Sequence, residues 1–397
     1  MVADKIRLIV LQSSSDLTQQ DDGLCPGISL DICKTTSYDT PQMGRSKHPF
    51  SPMKKIDTGR KELYEGVIRL VKEKTMKEIL MTKGAGKLIE TCARVKPEEN
   101  VLIVTDFTRV KIAQVLATAA YERGAEVMIA IMTPRKGHGQ EPPVPIAEAM
   151  KKADVIFTPV SYSITHTESM KRALESGARS LVMTEFTEDQ LITGGIEADF
   201  NELKVICKKM ADAFERSKNV LLTTPRGTRL SMQKEGRPGN AMYCIVEPGQ
   251  LSPVPNVEAN FSPIEGSAEG KIVVDASIPY IDIGVLREPV VATVKRGMIT
   301  DIQGGAQAKT LADDLKTRND PKVYNVAELG VGLNPKSIMQ GVQLEDEGVF
   351  GTVHIGIGTN ITLGGTVKAA IHYDLIMWEP TIELDGRVVL ERGRLRI

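Results

Sequence analysis

The chain has 397 residues, 41% of them hydrophobic and 25% charged, which is ordinary globular composition with length for two or three domains. Lysine plus arginine number 50 and aspartate plus glutamate 51, a formal charge of -1 that gives no reason to expect a nucleic-acid partner. No run of about 20 apolar residues is present, so no membrane span is expected. The five cysteines lack C-x-x-C spacing, which speaks against a cysteine-rich zinc site or a disulfide scaffold. The first residues make a poor signal peptide, so the expectation is a cytoplasmic protein.

Residues 1–54 combine one apolar run, Ile6 to Leu11, with a polar tract of no clear period. They read as an appendage, weakly ordered or packed on a partner subunit. Residues 60–95 carry apolar positions at helical spacing. Short apolar strands then alternate with helices: strands at Asn100–Asp106, Ala125–Met132, Asp154–Val160 and Arg179–Phe186, with helices after Thr108, at 145–152 and at 165–176. This alternation predicts a Rossmann-like parallel sheet covered on both faces, placed in a domain at 55–214. Its first turn reads FTRVK and lacks the G-x-G-x-x-G that lets a backbone approach pyrophosphate, so no nucleotide is inferred. Asp106, at the first strand's end, reads as the cap of the segment starting at Thr108.

A helix at 197–216 leads into a chain rich in glycine and short strands. Gly297 and Asp385-Gly386 mark hairpin turns, and residues 306–319 read as a helix. The second domain, 215–397, is therefore expected to be mixed and β-rich. The fold class is α/β: a Rossmann-like parallel-sheet domain followed by a β-rich, metal-binding one.

Five histidines are present. His48 lies in the polar tail, His138 in a Pro/Gly-rich loop and His166 near a helix start. The run AIHYDLIMW places His372 and Asp374 two apart, on one side of a strand. His354 lies in GTVHIGIG, whose small residues suggest open space beside the ring. Glu328 is surrounded by Val326, Ala327, Leu329 and Val331, and a carboxylate buried there needs a cation, hydrogen bonds or a proton. Glu258 in NVEANFSP is a further carboxylate. Together these form an oxygen-rich, imidazole-containing ligand set that Zn, Mn, Co or Fe(II) accepts. Three arrangements stay open: two ions about 3.5 Å apart with a bridging carboxylate, one ion with the remaining residues supporting it, and the facial triad of non-haem iron enzymes.

On these residues the chain resembles two related groups, the metallo-aminopeptidases of the aminopeptidase T family and 2,5-dihydroxypyridine 5,6-dioxygenase. The peptidase resemblance implies metal ligands at Glu258, five residues before Pro263, at Glu328 ahead of G-x-G-x-N-P, at His354 in G-T-x-H, and at His372 and Asp374. It also implies a catalytic glutamate before the strand histidine, Glu347 rather than Glu345. The dioxygenase resemblance rests on S-A-E-G at 267–270, RGMITDIQGG, DPKVY at 320–324 and NITLGG. Its iron is held by two histidines and an aspartate. That maps His372 and Asp374 again and puts Glu328 where the other histidine stands, so that Glu328 or His354 completes the set. The connection from His354 to His372 lacks the longer peptidase insertion.

The leading expectation is a hydrolase with one or two divalent ions, Zn, Co or Mn, acting on an amide or short peptide. Metal-activated water attacks, Glu347 moves the proton, and His354 is a ligand or stabilises the oxyanion. Arg226 or Arg229 binds a substrate carboxylate. The alternative is an Fe(II) ring-cleaving dioxygenase acting on a dihydroxypyridine-like aromatic, and a metal-stabilised binding protein without turnover is a third. The resemblance adds a homodimer joined through the second domain.

Overall fold

A computed structural model describes residues 77–397. The expectations for residues 1–54, His48 and the front of the 60–95 helix lie outside the described residues. The rest of that helix is α1 (Lys77–Lys87), ending in a wider π-turn over Leu88–Cys92.

The parallel sheet is built from the apolar runs. β1 (Asn100–Asp106), β3 (Val155–Val160) and β4 (Arg179–Thr184) are buried almost throughout, as strands covered on both faces must be. β2 (Glu126–Met132) forms the edge, and α2 (Val110–Glu122), α3 (Val144–Met150) and α4 (Glu168–Glu175) make the connections. Asp106 is not the helix cap expected from sequence, since α2 starts from Arg109 without a side-chain cap. Its Oδ1 accepts from Thr108 N (3.0 Å) and Thr108 Oγ1 (2.7 Å), while Oδ2 accepts from Ser161 N (2.6 Å), tying the carboxyl ends of β1 and β3 together.

The strand order is β2-β1-β3-β4-β8, with every pairing parallel. The fifth strand, β8 (Leu251–Pro253), comes from beyond position 215, where the second domain was expected to begin. Pro253 is accommodated because β8 is an edge strand. The chain thus returns to the first sheet immediately before entering the sheet that carries the candidate site.

That sheet has seven strands in the order β12-β11-β17-β16-β15-β9-β7. They are β7 (Asn240–Met242), β9 (Glu258–Phe261), β11 (Ser277–Ile278), β12 (Gly284–Val285), β15 (Val326–Gly332), β16 (Thr352–Gly358) and β17 (His372–Trp378). A third sheet of eight antiparallel strands includes β5 (Asn219–Thr223), β6 (Arg229–Gln233), β10 (Glu269–Val274), β13 (Val290–Lys295), β14 (Met298–Gln303), β18 (Thr381–Leu384), β19 (Arg387–Glu391) and β20 (Arg394–Leu395). Both expected hairpins form, β13–β14 and β18–β19. Asp385 and Gly386 both have positive φ, as a two-residue turn matching the strand twist requires.

α5 (Phe200–Glu215) backs the seven-stranded sheet. Asp199 starts it by accepting from Asn201 N (2.9 Å) and Glu202 N (3.3 Å). Phe200, Leu203, Cys207, Met210 and Phe214 form its buried stripe. Phe214 packs edge-on against Phe261, and the Cys207 thiol donates to Glu258 O (2.9 Å). The helix therefore seats the strand that carries Glu258.

Asn334, which closes the ELGVGLN run, is fully buried. Its side-chain amide donates to Gly195 O and Pro255 O (3.0 Å each), and Glu345 Oε1 accepts from Gly195 N (2.7 Å) and Ile338 N (3.0 Å). Replacing Asn334 by alanine strands two buried carbonyls. It should destabilise the fold by about 1–3 kcal/mol, read as a lower denaturant midpoint at unchanged slope. An unchanged midpoint would show that these contacts are not structural.

Candidate metal centre

Glu258, Glu328, His354, His372 and Asp374 come together on one face of the seven-stranded sheet, and the register explains how. Glu258 pairs with Gly332, Glu328 with Gly356, His354 with Gly330, Asp374 with Gly356 and His372 with Gly358. Each polar side chain therefore stands beside a residue that has none. A Cβ on Gly330 would collide with the His354 ring, and one on Gly356 would crowd Glu328 and His372. The glycines around His354 do not leave open space for a substrate, as the sequence suggested; the ring and its neighbours fill it.

Two groups of three side chains bring ligand atoms within 4.8 Å of one another: Glu258, Glu328 and His354, and Glu328, His372 and Asp374. His372 Nε2 lies 2.9 Å from Glu328 Oε2 and 3.5 Å from Asp374 Oδ1. His354 Nε2 lies 3.4 Å from Glu258 Oε2, 3.7 Å from Glu328 Oε1 and 4.0 Å from Asp374 Oδ1. His354 is 1% exposed, whereas the His372 side chain keeps 27% and marks the open side. His372 Nδ1 meets Thr359 O at 2.7 Å, which orients the ring.

Glu347 joins the cluster just after the short helix α6 (Gln343–Asp346). Asn256 donates to Glu258 Oε2 (3.1 Å) and to Glu347 Oε2 (3.3 Å), while Asn260 donates to Glu258 Oε1 (2.6 Å). The Tyr280 hydroxyl reaches Asp374 Oδ2 (2.7 Å) and Glu347 Oε1 (3.0 Å). Glu345 points away, toward Gly195. Sequence reasoning missed Asn256, Asn260 and Tyr280. The asparagines sit two residues either side of Glu258, a period-two signal that could have found them; Tyr280 carries no such signal.

Arg226 and Arg229 are not brought to the cluster. Arg226 faces Asp275 (3.7 Å), whose Oδ1 accepts from Trp378 N. Trp378 is the far end of β17 from His372, roughly 20 Å along the strand. Arg229 is exposed on β6 of the eight-stranded sheet. The side chain that does sense the cluster is His166, whose imidazole is lowered by desolvation and then by the charge of His372. His138 instead accepts from Ser163 N (3.2 Å).

The four carboxyl groups Glu258, Glu328, Glu347 and Asp374 are buried, and among the described residues no lysine or arginine pairs with them. Asp374 Oδ1 is buried without a donor. Such a set fits a divalent cation, with His354, His372, Asp374, Glu328 and Glu258 as the residues to hold it. Without the ion, the groups hold each other's protons. Burial opposes the charged His354 ring, but Glu258, Glu328 and Asp374 outweigh it and raise the imidazole to about 9. His372 is raised well above its usual value by Asp374 and Glu328, again against burial. Burial pushes Glu258 up to about 7. Burial, with Asp374 and Glu258 nearby, holds Glu347 well above the carboxylate range. Glu328 and Asp374 are lowered despite burial, because the imidazoles sit on them.

Two outcomes are expected. The stability contributed by His354 in the metal-free protein is whole below about pH 6.5 and lost as pH rises through about 9. The melting temperature should therefore fall across that window, while divalent cation affinity rises with it, as calorimetry in two buffers would show by proton release. A pH-independent affinity would contradict this. Gly330→Ala forces the His354 ring aside and should cost about 1–3 kcal/mol together with metal affinity; unchanged metal content would refute the packing account.

The family model described as NicX, 2,5-dihydroxypyridine 5,6-dioxygenase, matches residues 82–397. The 2,5-dihydroxypyridine 5,6-dioxygenase of Pseudomonas putida KT2440 is 24% identical over 258 residues, 62% of this chain and 71% of that protein. The solved structure of 2,5-dihydroxypyridine dioxygenase from Pseudomonas putida KT2440 superposes with a TM-score of 0.68 at 20% identity, covering 79% of this chain and 96% of that one. Wild-type AmpT from Thermus thermophilus superposes at 0.58 with 15% identity, covering 81% and 100%. The structural likenesses establish a common fold, and the match over residues 82–397 places the chain in the 2,5-dihydroxypyridine 5,6-dioxygenase family.

Proposed function

We propose that this protein is a non-haem Fe(II) dioxygenase that opens the ring of a dihydroxypyridine-like aromatic. This reverses the order of the two expectations drawn from sequence, since the family model and the curated relative both carry the dioxygenase name. The observation that carries the proposal is the approach of two imidazoles to one unpartnered carboxylate oxygen, Asp374 Oδ1, with His372 Nε2 at 3.5 Å and His354 Nε2 at 4.0 Å. Two histidines and a carboxylate are the set that non-haem iron oxygenases use.

When bound, Fe(II) would supply a charge for the ring hydroxyls and the electrons with which dioxygen reacts. The chain's own residues supply the rest. Glu328 lies against both imidazoles and keeps them in place. Asn256 and Asn260 occupy both oxygens of Glu258, so it lends charge while its orientation stays fixed. His372 forms the open edge, where a planar ring enters. His166 is lowered by desolvation and by the charge of His372, which puts it within electrostatic reach of that edge.

A second reading, amide hydrolysis with two ions, is favoured by the two overlapping groups that share Glu328 and by Glu347 beside them. Metal content and oxygen dependence separate the two. The dioxygenase reading expects about one iron per chain, oxygen consumed in step with 2,5-dihydroxypyridine, and no turnover under argon. Hydrolysis of an aminoacyl anilide under argon with two ions per chain would replace it. His354→Ala or Asp374→Ala should lower iron affinity by more than about 100-fold; either variant with full iron content would remove these residues from the site.

A further inference from the structure

Both oxygens of Asp374 are buried, yet they are treated differently. Oδ2 accepts from the Tyr280 hydroxyl at 2.7 Å, whereas Oδ1 has no donor and faces the two imidazoles. The same hydroxyl lies 3.0 Å from Glu347 Oε1, so a single O–H stands between two carboxyl groups. The Tyr280 ring is firmly held. It is 9% exposed and stacks on Tyr373 with centroids 4.7 Å apart. The Tyr373 hydroxyl in turn accepts from Arg318 Nη2 (2.7 Å). Directly after Tyr280 the chain reverses through Ile281 and Asp282, both with positive φ (49° and 59°), and Ile283 N returns to Tyr280 O at 3.0 Å. Two consecutive non-glycine residues in the left-handed region cost free energy, which the packing around the turn must offset.

We propose that Tyr280 is a positioning residue for the metal centre: by holding Asp374 Oδ2 it leaves Oδ1 as the single ligating oxygen. The inference rests on the metal-binding reading and concerns how one ligand is aimed. Without the hydroxyl, the Asp374 carboxylate is free to turn. Groups that orient a metal-ligating carboxylate typically change affinity by about 10–100-fold when removed.

The test is an equilibrium titration of metal-free protein with Mn(II), which is stable in air, using wild type, Tyr280→Phe and Tyr373→Phe, with thermal melts of each metal-free protein. Tyr280→Phe should still fold, with a modestly lower metal-free melting temperature, and bind about 10–100-fold more weakly, with the affinity of Tyr373→Phe within about twofold of wild type. Equal affinity in wild type and Tyr280→Phe, or an equal loss in both variants, overturns the proposal. Wild type that binds no Mn(II) overturns the metal-binding reading itself, and the proposal with it. Should Tyr280→Phe fail to fold, the near-ultraviolet tyrosine difference spectrum on adding Mn(II) decides: a band kept in Tyr373→Phe supports the contact, and its absence from wild type overturns it.

Discussion

Four carboxyl groups lie buried within reach of one another, and only two imidazoles stand among them. In a low-dielectric interior like charges so close cannot all persist, so the cluster must take up protons or a cation. The metal-free chemistry shows the first solution: Glu258 and Glu347 move up, and both histidines are held charged. A divalent ion is the second, and it releases those protons. The arrangement is thus costly without an ion, as a candidate metal site is expected to be.

The surrounding structure exists to keep that cost local. Antiparallel pairing sets side chains from β9, β15, β16 and β17 on one face, and a glycine opposite each polar residue gives it room. α5 braces the strand carrying Glu258, while Asn334 and Glu345 bind the loops to the segment around Gly195. The parallel sheet contributes through its carboxyl ends, where ligands of such sheets gather. His166 lies in the segment that follows β3, close enough to His372 for its charge to be felt. A short run of chain joins β8 of the parallel sheet directly to β9, which carries Glu258.

A fold shared with AmpT says nothing about the reaction. The two imidazoles near Asp374 Oδ1 suit iron and dioxygen; the extra carboxylates Glu258 and Glu328 suit a second ion. Glu328 is where these alternatives meet, because it belongs to both groups of ligands.

The alternation of apolar runs with helices, the hairpin turns and the pattern H-x-D were legible in the residues, because period and turn chemistry are local properties. So were four of the five clustered side chains, Glu328, His354, His372 and Asp374, since E-x-G-x-G, H-x-G-x-G and H-x-D each place polar groups and gaps on one side of a strand. What only the tertiary structure decided was which strands are neighbours, and hence that the glycine of one strand makes room for the polar side chain of the next. It also decided that Arg226 and Arg229 lie elsewhere and that β8 returns to the first sheet. It placed Tyr280, 94 positions away in sequence, on Asp374. Strand order and long-range register depend on burying whole faces at once, and no short window of residues carries that information.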